Sequence, residues 1–288
     1  MRMRILQYTA RAMEKYLFVL GTVFILVLAV AAVMPSPLSE AQDVGAYMAA
    51  VDLPLVNATA TTKPLVQYVE ITDGCGPYYG GDCLNLRGGP GEKFPKMLHM
   101  RSGVVLQVDG SVEDDTGRTW YKVVFGEWLR YPDRLKGDLY VAADYVRPFY
   151  DYGAEDINDT APTTTKRILV DRSEQKLYAY DGDALFMETS ISTGLDLTPT
   201  PRGNFKIYRK TPTRYMQGPL PGVSDQFYDL PGVPWNLYFT KEGGAIHGAY
   251  WHDHFGQQWS HGCVNLPFDK AKELYEWAPL GATVTVRD

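Results

Sequence analysis

The sequence predicts a mainly β protein with an N-terminal apolar segment and one late helix. Short β-prone runs separated by turn residues fill two blocks of the chain, residues 66–149 and 166–288. A stretch rich in Thr, Asp and Pro separates the two blocks, and only residues 268–277 show a convincing helical pattern. A chain of 288 residues is long enough for two domains with accessory segments.

Composition and charge narrow the function classes. A hydrophobic content of 45% indicates a folded protein and not a disordered one. The formal net charge of −6 argues against nucleic acid as the main partner. Bulk charge would not attract an anionic polymer either, so any binding to such a polymer must depend on local features.

The N-terminal segment carries a localisation signal. Four basic residues (Arg2, Arg4, Arg11 and Lys15) precede an apolar run at residues 16–33. This run is long for a signal-peptide core and about the length of a membrane span. Residues 1–41 are therefore predicted to be an uncleaved membrane anchor or a cleaved signal peptide, with a buried core helix as the third alternative. The basic flank predicts a cytoplasmic N-terminus, so the remainder is expected outside, on the periplasmic or cell-wall face of the cytoplasmic membrane.

The three cysteines fit an exported protein. Cys75 and Cys83 flank a Gly/Tyr-rich loop and can pair in an oxidising compartment, although two unpaired thiols are the alternative. Cys263 is then the odd cysteine. An unpaired thiol outside the cell must survive oxidation, which favours a chemical role for Cys263.

The first block is predicted to be a small β-barrel. Residues 67–71, 104–108 and 120–124 are predicted strands, and Asp109–Gly110 and Gly137–Asp138 are predicted to separate strands. Residues 42–65 and 150–165 are predicted linkers on either side of the block.

Two segments of the first block, residues 84–95 and 140–149, resemble bacterial SH3-like domains. The resemblance covers nearly all of residues 66–149 and implies a binding role, often towards cell-wall peptides. A purely structural spacer is an equally weighted alternative.

The second block opens with a hairpin pattern. Residues 167–171, 176–180 and 184–187 are predicted strands, and Asp181–Gly182 marks the turn. A helix is expected at residues 268–277, after Pro267, and a last strand at residues 282–286. The Pro/Gly-rich residues 209–234 are predicted to form a long loop that acts as a lid or a binding loop.

Four of the five histidines and Cys263 lie close together in the sequence. A thiol with a pKa near 8.5 attacks acyl carbons poorly unless a base activates it. His247 is expected on a separate strand, from which it can approach Cys263 across the sheet, whereas His261 would lie beside Cys263. The Gly248 carbonyl can fix the tautomer of the base. Gly262 permits close approach of the backbone, and N–H groups around Cys263 can bind an oxyanion.

This motif, His247–Gly248 followed by the sequence SHGCVN at residues 260–265, resembles the signature of YkuD-type L,D-transpeptidases. The opening hairpin, residues 198–207 and the tail at residues 266–286 look like the same family. The resemblance implies a β-sandwich catalytic domain at residues 166–288.

The resemblance also implies roles for individual residues. Cys263 is the implied nucleophile, and His247 is its general base, oriented by the Gly248 carbonyl. Gly262 and Cys263 would supply oxyanion contacts. The remaining implied positions are Ser260 and His261, which shape the site, and Asn265, Tyr238 and Trp251, which would bind substrate.

The implied reaction is acyl transfer between peptidoglycan stem peptides. The thiolate attacks the carbonyl between the third stem residue and the terminal D-Ala, and a thioester forms. The amine of a neighbouring stem resolves it and gives a 3–3 cross-link, whereas water would give L,D-carboxypeptidase activity. The family uses no metal and no cofactor.

Two other interpretations compete with this one. His252, Asp253 and His254, together with His261 and Cys263, offer enough ligand types for zinc, but zinc would occupy the thiolate. His252 and His254 are otherwise expected to be loop residues near the cleft. A non-catalytic wall-binding scaffold, with the SH3-like block as its working part, is the second alternative.

Overall fold

A computed structural model describes residues 63–158, 163–222 and 224–288. The predicted signal or anchor at residues 1–41 lies outside these residues, as does nearly all of the predicted linker at 42–65. Of the helices in the described ranges, none has the length and apolar character needed to cross a bilayer.

The first block forms one antiparallel sheet of seven strands. Along this sheet the strand order is β3-β2-β6-β5-β4-β1-β7. Three single-turn 3-10 helices connect strands at Pro77–Tyr79, Pro132–Arg134 and Ala143–Tyr145. The strands are β1 (Val66–Ile71), β2 (Leu84–Arg87), β3 (Lys96–Met100), β4 (Val105–Glu113), β5 (Thr119–Val124), β6 (Leu139–Ala142) and β7 (Val146–Asp151).

The predicted small β-barrel is not closed by the strands described here. β3 and β7 are the two edges of the sheet and do not pair with each other. Short strands with frequent turns suit an open, curved sheet as well as a barrel, and strand pairing decides between them. The SH3-like assignment of the block remains a prediction.

A second prediction in this block was wrong in detail. Asp109–Gly110 does not separate strands, because β4 continues through both residues, with a register irregularity between Val108 and Ser111. Gly110 has φ 83° there. A glycine that adopts positive φ serves a β-bulge as readily as a turn, and the sequence does not distinguish the two.

The second block, together with a short strand at residues 155–156 that precedes it, forms two five-stranded sheets and contains the single α-helix of the described residues. Their orders are β11-β10-β9-β17-β12 and β16-β15-β14-β13-β8. The first five strands are β8 (Glu155–Asp156), β9 (Lys166–Asp171), β10 (Lys176–Asp181), β11 (Ala184–Ser190) and β12 (Gly203–Lys206). The others are β13 (Arg209–Gln217), β14 (Asp229–Tyr238), β15 (Ala245–Gly248), β16 (Val264–Leu266) and β17 (Thr283–Arg287), and the helix is α1 (Phe268–Trp277).

The two sheets and α1 share one apolar core, so the block is a sandwich with a late helix, as predicted. Ile168 of β9 and Leu237 of β14 lie in this core, together with Leu274 of α1. The predicted hairpin is present, with Asp181 opposite Ala184 at its end. Part of the predicted linker at 150–165 is also structured, since β8 pairs with β13.

The predicted long loop at residues 209–234 is mostly strand. β13 and β14 form a long hairpin, and only residues 218–228 connect them. Prolines and glycines within the strands obscure the period-2 pattern. Burial against the core stabilises the strands regardless, since residues 231–237 of β14 are all buried.

The two blocks share their cores within the described part of the chain. Tyr68 and Val105 of the first block join the core of the second, and Val233 and Tyr250 join the core of the first. At Gly232, where φ is 67°, a Cβ atom would lie 2.5 Å from the Val105 carbonyl oxygen. The backbones therefore approach too closely for a side chain. The domain boundaries remain predictions.

Candidate active site

The site is built where β15 runs parallel to β16. His247 lies on β15 and pairs in register with Asn265 on β16. Extending this register back by two residues places Cys263 beside Ala245. Alternate residues of a strand face the same side, so His247, Cys263 and Asn265 share one face of the sheet. All three line the same cleft, which has a volume of about 1330 Å³.

His247 is held as a neutral imidazole. Its side chain is buried, and Nδ1 lies 3.0 Å from the carbonyl oxygen of Gly248. A carbonyl only accepts, so Nδ1 carries the proton and Nε2 keeps a free lone pair. Burial lowers the pKa of His247 to about 4, and the hydrogen bond to Gly248 offsets only part of this shift.

Close packing explains why residue 248, whose carbonyl contacts His247, is a glycine. A Cβ atom at this position would lie 2.9 Å from Cγ of Pro234 and 3.1 Å from Cα of Phe268. The end of β15 therefore presses directly against β14 and the start of α1. This contact fixes the carbonyl that orients His247.

Cys263 is the free cysteine among the described residues and is half-buried. Burial raises the pKa of its thiol, and a backbone hydrogen bond at Ala245 offsets part of the effect. The shifts of Cys263 and His247 both favour uncharged forms. The resting pair is therefore a thiol and a neutral imidazole, and any attack by the thiol would need an accompanying proton transfer.

Ser260 closes the turn that presents Cys263. Its hydroxyl donates to the carbonyl of Cys263 at 2.5 Å and accepts from the N–H of Gly262 at 3.1 Å. Gly262 has φ 114°, which a side chain would disfavour. The Gly262 N–H must leave Ser260 before it can bind an oxyanion, so that predicted role is untested.

His261 lines the same cleft, and its ring contacts the loop that follows β13. Its Nε2 lies 2.7 Å from Oε1 of Gln226, and its ring stacks on Tyr228 with 5.8 Å between centroids. Burial lowers the pKa of His261. His261 therefore joins the motif to the loop at residues 218–228, which fits a site-shaping role.

The predicted substrate-binding aromatics also line the cleft. Tyr238 ends β14, and burial is the main cause that raises the pKa of its hydroxyl. The ring of Trp251 lies 5.9 Å from that of His247, centroid to centroid. Whether these residues bind substrate remains a prediction.

Several cleft residues were missed by sequence reasoning. Glu127, from the first block, accepts from Nη1 of Arg214 at 2.9 Å and from the N–H of Tyr215 at 2.6 Å. Tyr228 also lines the cleft, and burial raises its pKa to about 12. Tyr228 lies within the Pro/Gly-rich residues 209–234, which were predicted to form a binding loop, but the sequence did not single it out. No sequence signal pointed to Glu127, because its contacts belong to a distant block.

The zinc hypothesis receives no support from the arrangement of side chains. Within residues 63–158, 163–222 and 224–288, no three His, Cys, Asp or Glu side chains converge on a possible metal position. His252 is buried, and burial lowers its pKa to about 4. The ring of His254 instead packs on Trp259, with 3.9 Å between centroids.

Comparison with known proteins finds a family model that matches the second block. Residues 165–286 match the family model YkuD, described as the L,D-transpeptidase catalytic domain. A curated relative, the putative L,D-transpeptidase YkuD of Bacillus licheniformis, is 29% identical over 131 residues, which are 44% of this chain and 67% of the relative.

Two solved structures of L,D-transpeptidases are also similar to this chain. The L,D-transpeptidase of Enterococcus faecium is 28% identical, covers 43% of this chain and 50% of its own, and has a TM-score of 0.39. An L,D-transpeptidase from Mycobacterium smegmatis is 18% identical, covers 59% of this chain and 91% of its own, and has a TM-score of 0.41. The family model thus coincides with the block that holds His247 and Cys263. Residues 165–286 are therefore similar to the L,D-transpeptidase catalytic domain that this family model describes.

Proposed function

We propose that this chain is a peptidoglycan L,D-transpeptidase that forms 3–3 cross-links through a thioester on Cys263. One observation carries the proposal. His247, with Nδ1 committed to Gly248 and Nε2 free, lines the same cleft as the free thiol of Cys263. A nucleophile beside a base of fixed tautomer is the arrangement that acyl transfer requires.

The first step forms the acyl-enzyme. Sγ of Cys263 attacks the carbonyl carbon between the third stem residue and the terminal D-Ala while Nε2 of His247 takes the thiol proton. The C–N bond then breaks, His247 returns the proton to the departing D-Ala amine, and the thioester remains. Because both groups are neutral at rest, no ion pair has to be desolvated before attack.

The second step transfers the acyl group. The side-chain amine of a neighbouring stem attacks the thioester carbon, the C–S bond breaks, and one proton of the amine passes through His247 to the Cys263 sulfur. A peptide cross-link forms and the free thiol is restored. Water in place of the amine would make the chain an L,D-carboxypeptidase.

The size of the cleft supports transfer over hydrolysis. Its volume of about 1330 Å³ exceeds the roughly 300–1000 Å³ of most small-ligand pockets. Both blocks line it, with Glu127 and Trp128 from the first block and Cys263 and Tyr238 from the second. Such a cleft has room for a donor stem and an acceptor stem at once.

Export of the protein is part of the proposal. Cys75 and Cys83 form a disulfide, which suits an oxidising compartment. Together with the N-terminal apolar run, this supports a position outside the cytoplasmic membrane, where peptidoglycan lies. Wall binding by the first block and anchoring by the N-terminal segment belong to the same proposal.

Intact-mass measurement tests the function. The purified protein is mixed with a synthetic stem tetrapeptide, and we expect an adduct equal to the tetrapeptide minus D-Ala. The Cys263→Ala variant should show no adduct, and an acceptor tetrapeptide should discharge the adduct to a cross-linked dimer. An adduct on Cys263→Ala would refute the thioester. Free tripeptide as the sole product would favour the carboxypeptidase, and wall binding without any adduct would favour the scaffold.

A further inference from the structure

A buried side-chain contact links the motif to a residue without an assigned role. The amide group of Asn265 lies 2.9 Å from Nε2 of His252. The other ring nitrogen, Nδ1, accepts the backbone N–H of His254 at 3.2 Å. Asn265 and His252 are both buried, at 2% and 1% exposed. Both nitrogens of one imidazole are therefore engaged inside the protein.

The protonation of the His252 ring determines which end of the Asn265 amide faces it. A ring nitrogen that accepts a hydrogen bond carries no proton, so Nδ1 of His252 is unprotonated. A neutral imidazole then carries its proton on Nε2, which must donate. With Nδ2 of Asn265 towards Nε2, two donors would meet and Oδ1 would be buried without a hydrogen-bond partner. With Oδ1 towards Nε2, a donor meets an acceptor, and the two amide ends have nearly the same shape.

We propose that His252 is a positioning residue that holds the Asn265 amide with its NH₂ group available to an oxygen of the substrate. Oδ1 accepts from Nε2 of His252, so the NH₂ group occupies the other, buried end of the amide, where Oδ1 as placed meets no donor among the described residues. Asn265 lines the cleft and pairs in register with His247. An acceptor oxygen of a ligand in the cleft satisfies a donor at that place.

The packing around His252 prevents the ring from turning. Its centroid lies 5.1 Å from that of Phe255, 5.8 Å from that of Trp251 and 6.4 Å from that of Trp259. The loop that carries His252 is fixed by the hydroxyl of Ser192, which donates to the carbonyl of His254 at 2.6 Å.

The backbone of Asn265 is anchored to the same neighbour. Its N–H and its carbonyl each form a 2.9 Å bond with Ser192. The amide can therefore change only by rotation about its own side chain, and the hydrogen bond to His252 selects one orientation.

The ligand chemistry follows from this orientation, and it rests on the proposed function. An NH₂ donor on the same face as His247 and Cys263 suits a carbonyl or carboxylate oxygen of the stem peptide. Recognition by one neutral hydrogen bond contributes about tenfold to affinity. Losing the orientation should therefore weaken substrate binding more than it slows bond making.

The first experiment reads the tautomer directly and does not depend on activity. Ring ¹⁵N–¹H correlation spectra of the full chain at pH 7 should show His252 neutral, with its proton on Nε2. A proton on Nδ1, or a charged ring, would overturn the proposal. This result stands whether or not the protein proves to be a transpeptidase.

The second experiment follows the acylation of Cys263 by a stem tetrapeptide. His252→Phe retains an aromatic ring but removes the donor, and we expect KM to rise about tenfold with little change in kcat. Asn265→Ala should have the same effect, and the double variant should be no worse than Asn265→Ala alone. His252→Gln, which restores an N–H donor, should recover most of the loss.

A matched control separates positioning from packing. His254→Phe changes a neighbouring histidine of the same loop but keeps the backbone N–H that His252 accepts, and it should leave KM unchanged. If His252→Phe causes the same loss in the Asn265→Ala background as in the wild type, the effects are independent and the proposal is wrong. If the wild-type chain forms no adduct, the proposed function fails, while the tautomer measurement still tests the role of His252.

Discussion

The two sides of the cleft differ in what holds them in place. On one side, His247 and Asn265 lie on paired strands of a sheet, and both are buried. On the other side, the loop at residues 218–228 is exposed along much of its length. Gln226 of this loop is bonded to His261, the half-buried histidine of the same motif.

Side chains from the first block anchor that loop. Arg134 donates to the carbonyl of Gly218 at 2.7 Å and to that of Tyr228 at 3.2 Å. The hydroxyl of Tyr131 donates to the carbonyl of Pro219 at 2.9 Å. These bonds grip the loop at both of its ends.

The difference separates two tasks. Groups that exchange a proton must keep their geometry, and a sheet packed on a core provides that rigidity. A loop held by a few side-chain bonds can adapt to its ligand. We therefore expect loss of the proposed proton-transfer group on the strand side, His247, to lower kcat, and changes on the loop side to raise KM.

The largest effect should follow from His247→Gln. Loss of the base should slow acylation of Cys263 about 10²- to 10⁴-fold, because the thiol remains protonated near neutral pH. Stopped-flow measurement with a carbapenem or a tetrapeptide gives the rate. The control is His261→Gln on the loop side, where the rate constant should change by less than about tenfold. An equal fall in the acylation rate constant of the two variants would show that His247 is not the specific base.

The pH dependence of the acylation rate constant tests whether the core on the strand side keeps His247 neutral. Burial lowers the pKa of His247 to about 4, and only the unprotonated ring can take the thiol proton. The acylation rate constant of the wild type should therefore hold as pH falls through 6.5 and decline only as pH approaches 4. Below that point each pH unit should cost about tenfold. An acid limb centred near pH 6.5 would show that the base is solvated and not fixed by the core.

The smallest effect should come from Arg134→Ala. Removal of its bonds to Gly218 and Tyr228 frees the loop, so KM for the tetrapeptide should rise about three- to tenfold while kcat stays within twofold. Lys136→Ala, an exposed change two residues away, is the control and should be silent. A fall in kcat without a rise in KM would mean that the loop positions the chemistry.

Sequence patterns predicted well those local elements that depend on residues close together in the chain. The hairpin around Asp181–Gly182 and the helix from Phe268 to Trp277 formed as expected. Turn residues and helical periodicity act over a few neighbours, so one sequence carries the information.

The motif is a second feature that the sequence identifies. The types and spacing of His247, Gly248 and Cys263 indicated a thiol with a base oriented by a carbonyl. The structure has the Nδ1 contact with Gly248 that this predicts. Residue types are given directly by the sequence. The spacing between His247 and Cys263 is also given by it, and it indicated two short strands that bring these residues to the same site.

Other features depended on segments far apart in the chain. The Pro/Gly-rich residues 209–234 became strands because a core buries them, and Glu127 entered the cleft from the first block. The orientation of Asn265 depends on the ring of His252, thirteen residues away. The burial that lowers the pKa of His247 likewise results from contacts between segments that are distant in the sequence.

The types of the reactive groups, the local elements that carry them and the family resemblance of the second block can all be read from the amino-acid sequence. The neighbours of each group, its access to water and therefore its charge depend on the folded structure. The two kinds of feature differ in the distance along the chain over which their causes act. Turns and periodicity act between nearby residues, whereas desolvation and hydrogen-bond partners depend on segments that only folding brings together.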